Sequence, residues 1–216
     1  KTKHLYLHTK IVLMMTAILI VAGTIPFLIV EWNNPLTMGN MNIGDKILNS
    51  MFQSVTCRTA GFDSLNNAHL DPVSKVFSII LMYIGASPAS TGGGIKVTTF
   101  AVILMTVVSV LRNKEETIIF GRRVDKSTVY KALTITMISL SAIFISSLLI
   151  FYSLKDNVLV SGLDTMFEVV SAFATVGLSS GITAVTNLFS EIILILMMFI
   201  GRVGPISVML LLTLQG

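Results

Sequence analysis

Charge is what this chain has least of. Asp, Glu, Lys and Arg make up 12% of its 216 residues, where a soluble domain carries about 25%. Hydrophobic residues reach 53% and mean hydropathy is +0.84, so a fully water-solvated surface is excluded and lipid is the expected solvent. A single cysteine, Cys57, excludes an intrachain disulfide and reads as structural beside its turn. The three histidines, His4, His8 and His69, fall near span ends or in loops, and no clustered Cys/His spacing indicates zinc. The net charge of +4 is small and its bases sit in end and loop segments. No basic face exists, which excludes a nucleic-acid partner.

Motifs for covalent chemistry are also missing. Gly85-Ala86-Ser87-Pro88-Ala89 approaches the Gly-x-Ser-x-Gly turn of serine hydrolases but ends in Ala. A nucleophile needs a base within hydrogen-bond reach, and no histidine is placed to supply one. A phosphate-binding loop needs Gly-Lys-Ser/Thr in succession; here Ile95 separates Gly94 from Lys96, and Val97 follows. The chain therefore reads as no enzyme, with no directly bound cofactor. It opens Lys-Thr-Lys with neither an initiator Met nor a cleavable signal, which reads as a piece of a longer polypeptide.

Long apolar runs are present. Ile11 to Val30 is uncharged over 20 residues, about 30 Å as a helix, which matches one hydrocarbon core. Val129 to Phe151 is a second span, with Lys131 placed to snorkel at its edge. Leu188 to Leu214 is a third, with Glu191 near one end and Arg202 in its interior. Val73 to Leu111 is about twice too long for one crossing, and Gly85 to Gly94 interrupts it with one proline and three consecutive glycines. Lys1, Lys3 and Lys10 precede the first span, while Arg112, Lys114, Arg122, Arg123 and Lys126 lie between the interrupted segment and the next. The positive-inside rule makes both basic segments cytoplasmic. The expected setting is a multi-pass protein of the cell membrane.

The pattern occurs twice. Asn49-Ser50-Met51-Phe52-Gln53 matches Asp164-Thr165-Met166-Phe167-Glu168 at an offset of 115. Thr59-Ala60-Gly61-Phe62 matches Thr175-Val176-Gly177-Leu178 at 116, as Met82-Tyr83-Ile84-Gly85 matches Met198-Phe199-Ile200-Gly201. From turn glycine to inner glycine is 24 residues in both copies. The expected fold class is an all-α integral membrane protein of tandem membrane–pore-loop–membrane repeats, potassium-channel-like, with re-entrant pore helices. Residues 1–111 form one repeat with an interrupted second helix, 112–127 a cytoplasmic connector and 128–216 the other repeat.

Asp45 to Val55 and Leu163 to Ala172 are each about 15 Å as helices, too short to cross but suited to re-entry. Such a helix aims about −0.5 charge at whatever lies beyond its C-terminus. Gly61 and Gly177 then tolerate the backbone that exposes carbonyls to an ion, and irregular backbone at membrane depth survives only where it lines water or lies within protein. Thr-Val-Gly also begins the Thr-Val-Gly-Tyr-Gly filter whose carbonyls replace the hydration shell of potassium. Thr59, Ala60, Gly61, Phe62, Thr175, Val176, Gly177 and Leu178 are thus the candidate ion-coordinating residues. Taken singly, either glycine could be an ordinary turn glycine; the duplication favours the filter.

Cys57-Arg58-Thr59-Ala60-Gly61-Phe62, the segment from Gly85 to Ile95-Lys96, and Gly201-Arg202-Val203-Gly204-Pro205 together resemble the Trk/Ktr/HKT superfamily of potassium transporters, above all its bacterial KtrB-type membrane subunits. The resemblance covers essentially the whole chain. It implies four repeats around one pore, of which this chain resembles the third and fourth; two repeats need another half or a partner chain to surround an ion. It further implies a homodimer, a cytoplasmic nucleotide-binding regulatory ring, and potassium uptake stimulated by sodium.

The same resemblance makes Ala86, Ser87, Pro88, Ser90, Thr91, Gly92, Gly93 and Gly94 an intramembrane gating loop, against the plainer reading of a buried helix break. Lys96 is placed to bind either the loop's carbonyls or a helix end and so to tune the gate, rather than to snorkel. Arg202, about 16 Å beyond Glu191, is costly in lipid and must face protein or water. It is either an electrostatic barrier below the filter or a clamp, with Glu168 as a candidate partner. Arg58 is a mouth charge or a strut for its turn, the strut being favoured. A competing function is a non-conducting membrane anchor whose Arg112–Lys126 connector docks a cytoplasmic partner.

Overall fold

The computed structural model describes residues 7–88, 90, 92–114, 116–120, 122–155 and 160–204. Helix α1 spans Leu7–Val30 and is followed by the short helix α2, Ile43–Thr56. Asp71 caps α3, Pro72–Tyr83, by accepting from Val73 N–H, and Pro72 occupies the first turn, where its missing donor costs nothing. After a loop, α4 runs Val97–Leu111. A small antiparallel hairpin, β1 (Ile118–Ile119) with β2 (Arg122–Arg123), fills part of the basic connector. Then α5 spans Lys126–Ser153, the short α6 spans Gly162–Ala174 under a Ser161 cap, and α7 spans Leu188–Val203 under an Asn187 cap. The order long helix, short helix, turn, helix therefore occurs twice, and the second helix of the first copy is split.

Two helices, His8–Val30 and Lys126–Ser153, are long and apolar enough to cross a bilayer, and only 22% of the apolar window of each is buried. A core helix of a soluble protein would be mostly enclosed. Here Leu13, Ile18, Val21 and Ile29 of α1, and Met137, Phe144 and Leu148 of α5, stand exposed. These apolar surfaces are stable only against lipid or further protein.

The core gathers on α6, which packs against α3, α5 and α7. Phe167, Val169, Val170, Phe173 and Ala174 are all buried there. Gly201 permits the closest approach: a side-chain carbon at that position would overlap the Phe173 carbonyl, so α7 lies directly on the α6 backbone. The short helix of the first copy is less enclosed. It packs on α1, whose Gly23 leaves room for Ser54 and Leu81. Yet Ile43, Ile47, Leu48, Met51, Phe52 and Val55 of α2 remain exposed.

The split helix is pinned across its gap. Ile84 and Ile95 form a parallel bridge, and Ile95 N–H donates to Tyr83 O at 3.1 Å. Tyr83 Oη lies 2.7 Å from Ser139 Oγ and donates to Thr136 O at 3.1 Å, tying the end of α3 to α5.

One expectation needs correction. The run Leu188 to Leu214 does not continue as one helix: α7 ends at Val203, and Gly204 caps it at φ 90°. Pro205 explains the stop, because proline disfavours helical backbone at the residue before it. Arg202 consequently sits in the last turn of α7, and residues 205–214 lie outside those described.

Candidate functional site

The two turns that follow α2 and α6 have matching backbones. Thr59 and Thr175 adopt φ of 68° and 54°, and Gly61 and Gly177 adopt 73° and 94°, while Ala60 and Val176 between them do not enter this left-handed region. That region costs a non-glycine residue about 1–2 kcal/mol, so two equivalent threonines held in it mark turns that their surroundings constrain. Thr175 is at once the C-cap of α6 and the first residue of its turn.

The turns also meet, although 116 residues separate them. A side-chain carbon on Gly61 would overlap Val176 O, and one on Gly177 would lie 4.0 Å from Gly61 Cα. The sequence-predicted filter residues of the two copies are thus brought into backbone contact. The end of each turn is tied back to its own helix. Thr56 Oγ1 donates to Phe62 O at 2.7 Å and accepts from Phe62 N–H at 2.8 Å. Ser171 Oγ donates to Leu178 O at 2.6 Å. Thr56 and Ser171 share the 115-residue offset of the short helices, the one sequence signal that would have singled them out.

Farther along, each loop is braced with opposite polarity. In the first copy the neutral Gln53 donates to Asn67 Oδ1 at 2.8 Å, and Asn67 Nδ2 donates in turn to the Asp63 carboxylate. In the second copy the acid is on the helix: Glu168 Oε1 accepts from Ser179 Oγ, from Ser180 N–H at 3.1 Å and from Thr183 Oγ1 at 3.1 Å. Asp63 corresponds to Ser179 and Asn67 to Thr183 at the offset of 116. Glu168 therefore serves the loop beyond its own turn, a role the clamp reading with Arg202 did not foresee. Arg58 is half-buried, and its Nε finds no hydrogen-bond partner among the described residues.

The interrupting loop lies directly against both turns. Gly93 N–H donates to Thr175 Oγ1 at 2.9 Å. A side-chain carbon on Gly92 would sit 2.6 Å from Thr59 Oγ1, and one on Gly93 would sit 2.9 Å from Ala174 O. Lys96 Nζ donates to Gly92 O at 2.5 Å and to Ser90 O at 3.4 Å, so the ammonium does hold loop carbonyls. Ser90 Oγ donates to Ser87 O at 2.6 Å, and Ala86 O accepts from Val97 N–H at 3.3 Å. Pro88 lies between these bonds; Ala89 and Thr91 fall outside the described residues.

Arg202 borders two spaces. One is an open groove of about 820 Å³ beside the second turn, lined also by Thr175, Gly177, Glu168 and Phe199. The other, about 190 Å³, is lined by Gly92, Gly94, Lys96 and Gly201. Among the described residues no group of three or more His, Cys, Asp or Glu side chains is arranged to hold a metal.

Apolar helices, duplicated turns and a glycine loop packed against them are the architecture of a helical membrane protein. The chain belongs to the family described as TrkH, cation transport protein, whose model matches residues 3–215. That is a family of cation transporters and not of enzymes. The chain is 42% identical to the Ktr system potassium uptake protein B of Bacillus subtilis over 201 residues, 93% of this chain and 44% of that protein. It is 41% identical to the protein of the same name from Vibrio alginolyticus, over 94% of this chain and 44% of that one. The potassium/sodium uptake protein NtpJ of Enterococcus hirae is 35% identical over 96% of this chain and 46% of its own length. The potassium transporter TrkH from Vibrio parahaemolyticus shares the all-helical membrane fold, with a TM-score of 0.76 at 18% identity over 95% of this chain and 44% of that one. The chain thus spans less than half the length of these relatives.

Proposed function

We propose that this chain forms the third and fourth membrane–pore-loop–membrane repeats of a potassium uptake protein of the cell membrane. On this reading residues 1–111 and 128–216 are the repeats, and 112–127 the cytoplasmic connector. The turns Thr59–Phe62 and Thr175–Leu178 contribute half of a carbonyl-lined filter for dehydrated potassium. The single observation that carries it is the backbone contact of Gly61 with Val176 and Gly177. Two extracellular turn glycines with no shared task have no reason to meet.

The exposed apolar face of α2 supports the same reading, because a second half of the transporter would cover it and close the ring. The loop from Ala86 to Gly94 is the gate: Gly92 and Gly93 lie against the threonines of both turns, and Lys96 holds it shut. Arg202, bordering both the groove and the loop's own cavity, is the electrostatic barrier beneath the filter. By the likeness to Ktr-system proteins, the assembly is a homodimer regulated by a cytoplasmic nucleotide-binding ring, with sodium as a stimulating ion.

The test is rubidium and sodium flux into vesicles holding the full-length protein that carries this segment, together with growth of a potassium-deficient host. Potassium-selective uptake that Gly177→Ser converts to weak discrimination supports the filter. Selectivity unchanged by Gly177→Ser would remove Gly177 from the filter, and no uptake by a well-folded protein would overturn the reading in favour of a membrane anchor. Arg202→Ala should raise conductance if the arginine is a barrier.

A further inference from the structure

The two hydroxyl groups behind the turns do more than cap helices. Thr56, the last residue of α2, and Ser171, three residues before the end of α6, correspond at the 115-residue offset of the short helices, and both are buried. Each donates to the carbonyl of the fourth residue of its turn, Phe62 or Leu178, at 2.7 and 2.6 Å. The two residue types differ and the two turns differ in sequence, yet the bond is the same. The first three residues of each turn receive no such donor among the hydrogen bonds of the described residues.

We infer that Thr56 and Ser171 are specificity-determining residues that set where the ion-coordinating column ends. This rests on the reading of the turns as a filter. A carbonyl drawn back toward a buried hydroxyl is held to that donor, with one of its two lone pairs engaged, and competes less well for a passing ion. The coordinating oxygens in each copy are then those of Thr59, Ala60 and Gly61, or of Thr175, Val176 and Gly177. Phe62 and Leu178 close the column without joining it. Without the hydroxyl, the fourth carbonyl is free to swing inward and to adjust to a smaller cation, which relaxes discrimination against sodium.

The experiment compares Thr56→Val and Ser171→Ala, which delete the hydroxyl with little change in shape, with Thr56→Ser and Ser171→Thr, which keep it. Full-length protein is reconstituted in vesicles, and rubidium and sodium uptake are measured beside thermal stability. The loss of one hydrogen bond predicts about a threefold to tenfold fall in potassium-over-sodium preference for the hydroxyl-free variants, with preference restored in the hydroxyl-keeping pair. A fall in stability alone, with preference unchanged, would reduce both residues to structural caps and overturn the inference. So would an equal loss of preference in all four variants. Gly177→Ser, run in parallel, separates the two levels. If it relaxes selectivity while Thr56→Val and Ser171→Ala do not, the filter stands and the latch falls. If none of the three does, the filter itself falls. Should Thr56→Val not fold, Ser171→Ala alone decides, since the inference requires the effect in either copy.

Discussion

Lys75 Nζ lies 2.7 Å from Asp164 Oδ1, a bridge between the two copies of the repeat, with side chains 10% and 16% exposed. It joins α3 to the first turn of α6, and the same ammonium donates to Ala68 O at 3.1 Å. The carboxylate also lies where the helix dipole favours negative charge. The second short helix is thereby held from α3 of the first copy.

Breaking a buried pair by removing one partner strands the other charge. Lys75→Met should destabilise the protein by about 3 kcal/mol. Lys75→Met with Asp164→Leu should cost less than the sum of the single changes, because no charge is left unpaired. Thermal unfolding in detergent across the double-mutant cycle reads both. Additive losses would mean that the two residues act separately.

The turn glycines differ in what surrounds them. At Gly61 a methyl group would meet both left-handed strain and the Val176 carbonyl, whereas at Gly177 it would meet strain alone. Gly61→Ala should therefore reduce ion flux and stability more than Gly177→Ala, whose cost is about 1–2 kcal/mol of backbone strain. Side-by-side flux and melting measurements check the order. A worse Gly177→Ala would contradict the contact between the turns.

Two helical glycines give opposite signs. Gly201→Ala drives a carbon into the Phe173 carbonyl on the buried side of α7, and overpacking of that kind costs about 1–3 kcal/mol or more. Gly44 lies in α2 with nothing within 4 Å of the added carbon, so Gly44→Ala should stabilise by about 0.5–1 kcal/mol through helix propensity. Thermal denaturation of both variants provides the check.

Lys96 holds Gly92 O at 2.5 Å. A charge-assisted hydrogen bond of this kind contributes about 1.5–3 kcal/mol, so on the gating proposed above its loss shifts the loop toward open about tenfold or more. Lys96→Met should thus raise cation flux, as should shortening the segment from Ala86 to Gly94. Flux through the full-length protein measures this, and unchanged flux in a folded variant would assign the lysine to packing.

The apolar runs of α1 and α5 and the break between α3 and α4 were legible, because lipid imposes length and proline and glycine interrupt a helix. Helix ends fell within a few residues of expectation at α1, α2, α5 and α6. The end of α7 did not, although Gly204-Pro205 carried the signal. The polar contacts were harder. Lys75 and Asp164 are 89 residues apart, and nothing in an apolar stretch says which distant carboxylate a lysine will meet. Glu31 is fully buried, yet it accepts from Asn34 Nδ2, Thr37 Oγ1 and Asp71 N–H. Gln53 and Glu168 were visible as a matched pair, but their inverted bracing depends on which loop residues each side chain reaches, and that follows only from three dimensions.

The bridge between Ile84 and Ile95 has a mechanical consequence. It brings the chain back to where it departed, so the excursion between them is closed at its base. Ala86 within that excursion is bonded as well, its carbonyl accepting from Val97 N–H at 3.3 Å, so α3 and α4 stay registered with each other although the helix between them is broken.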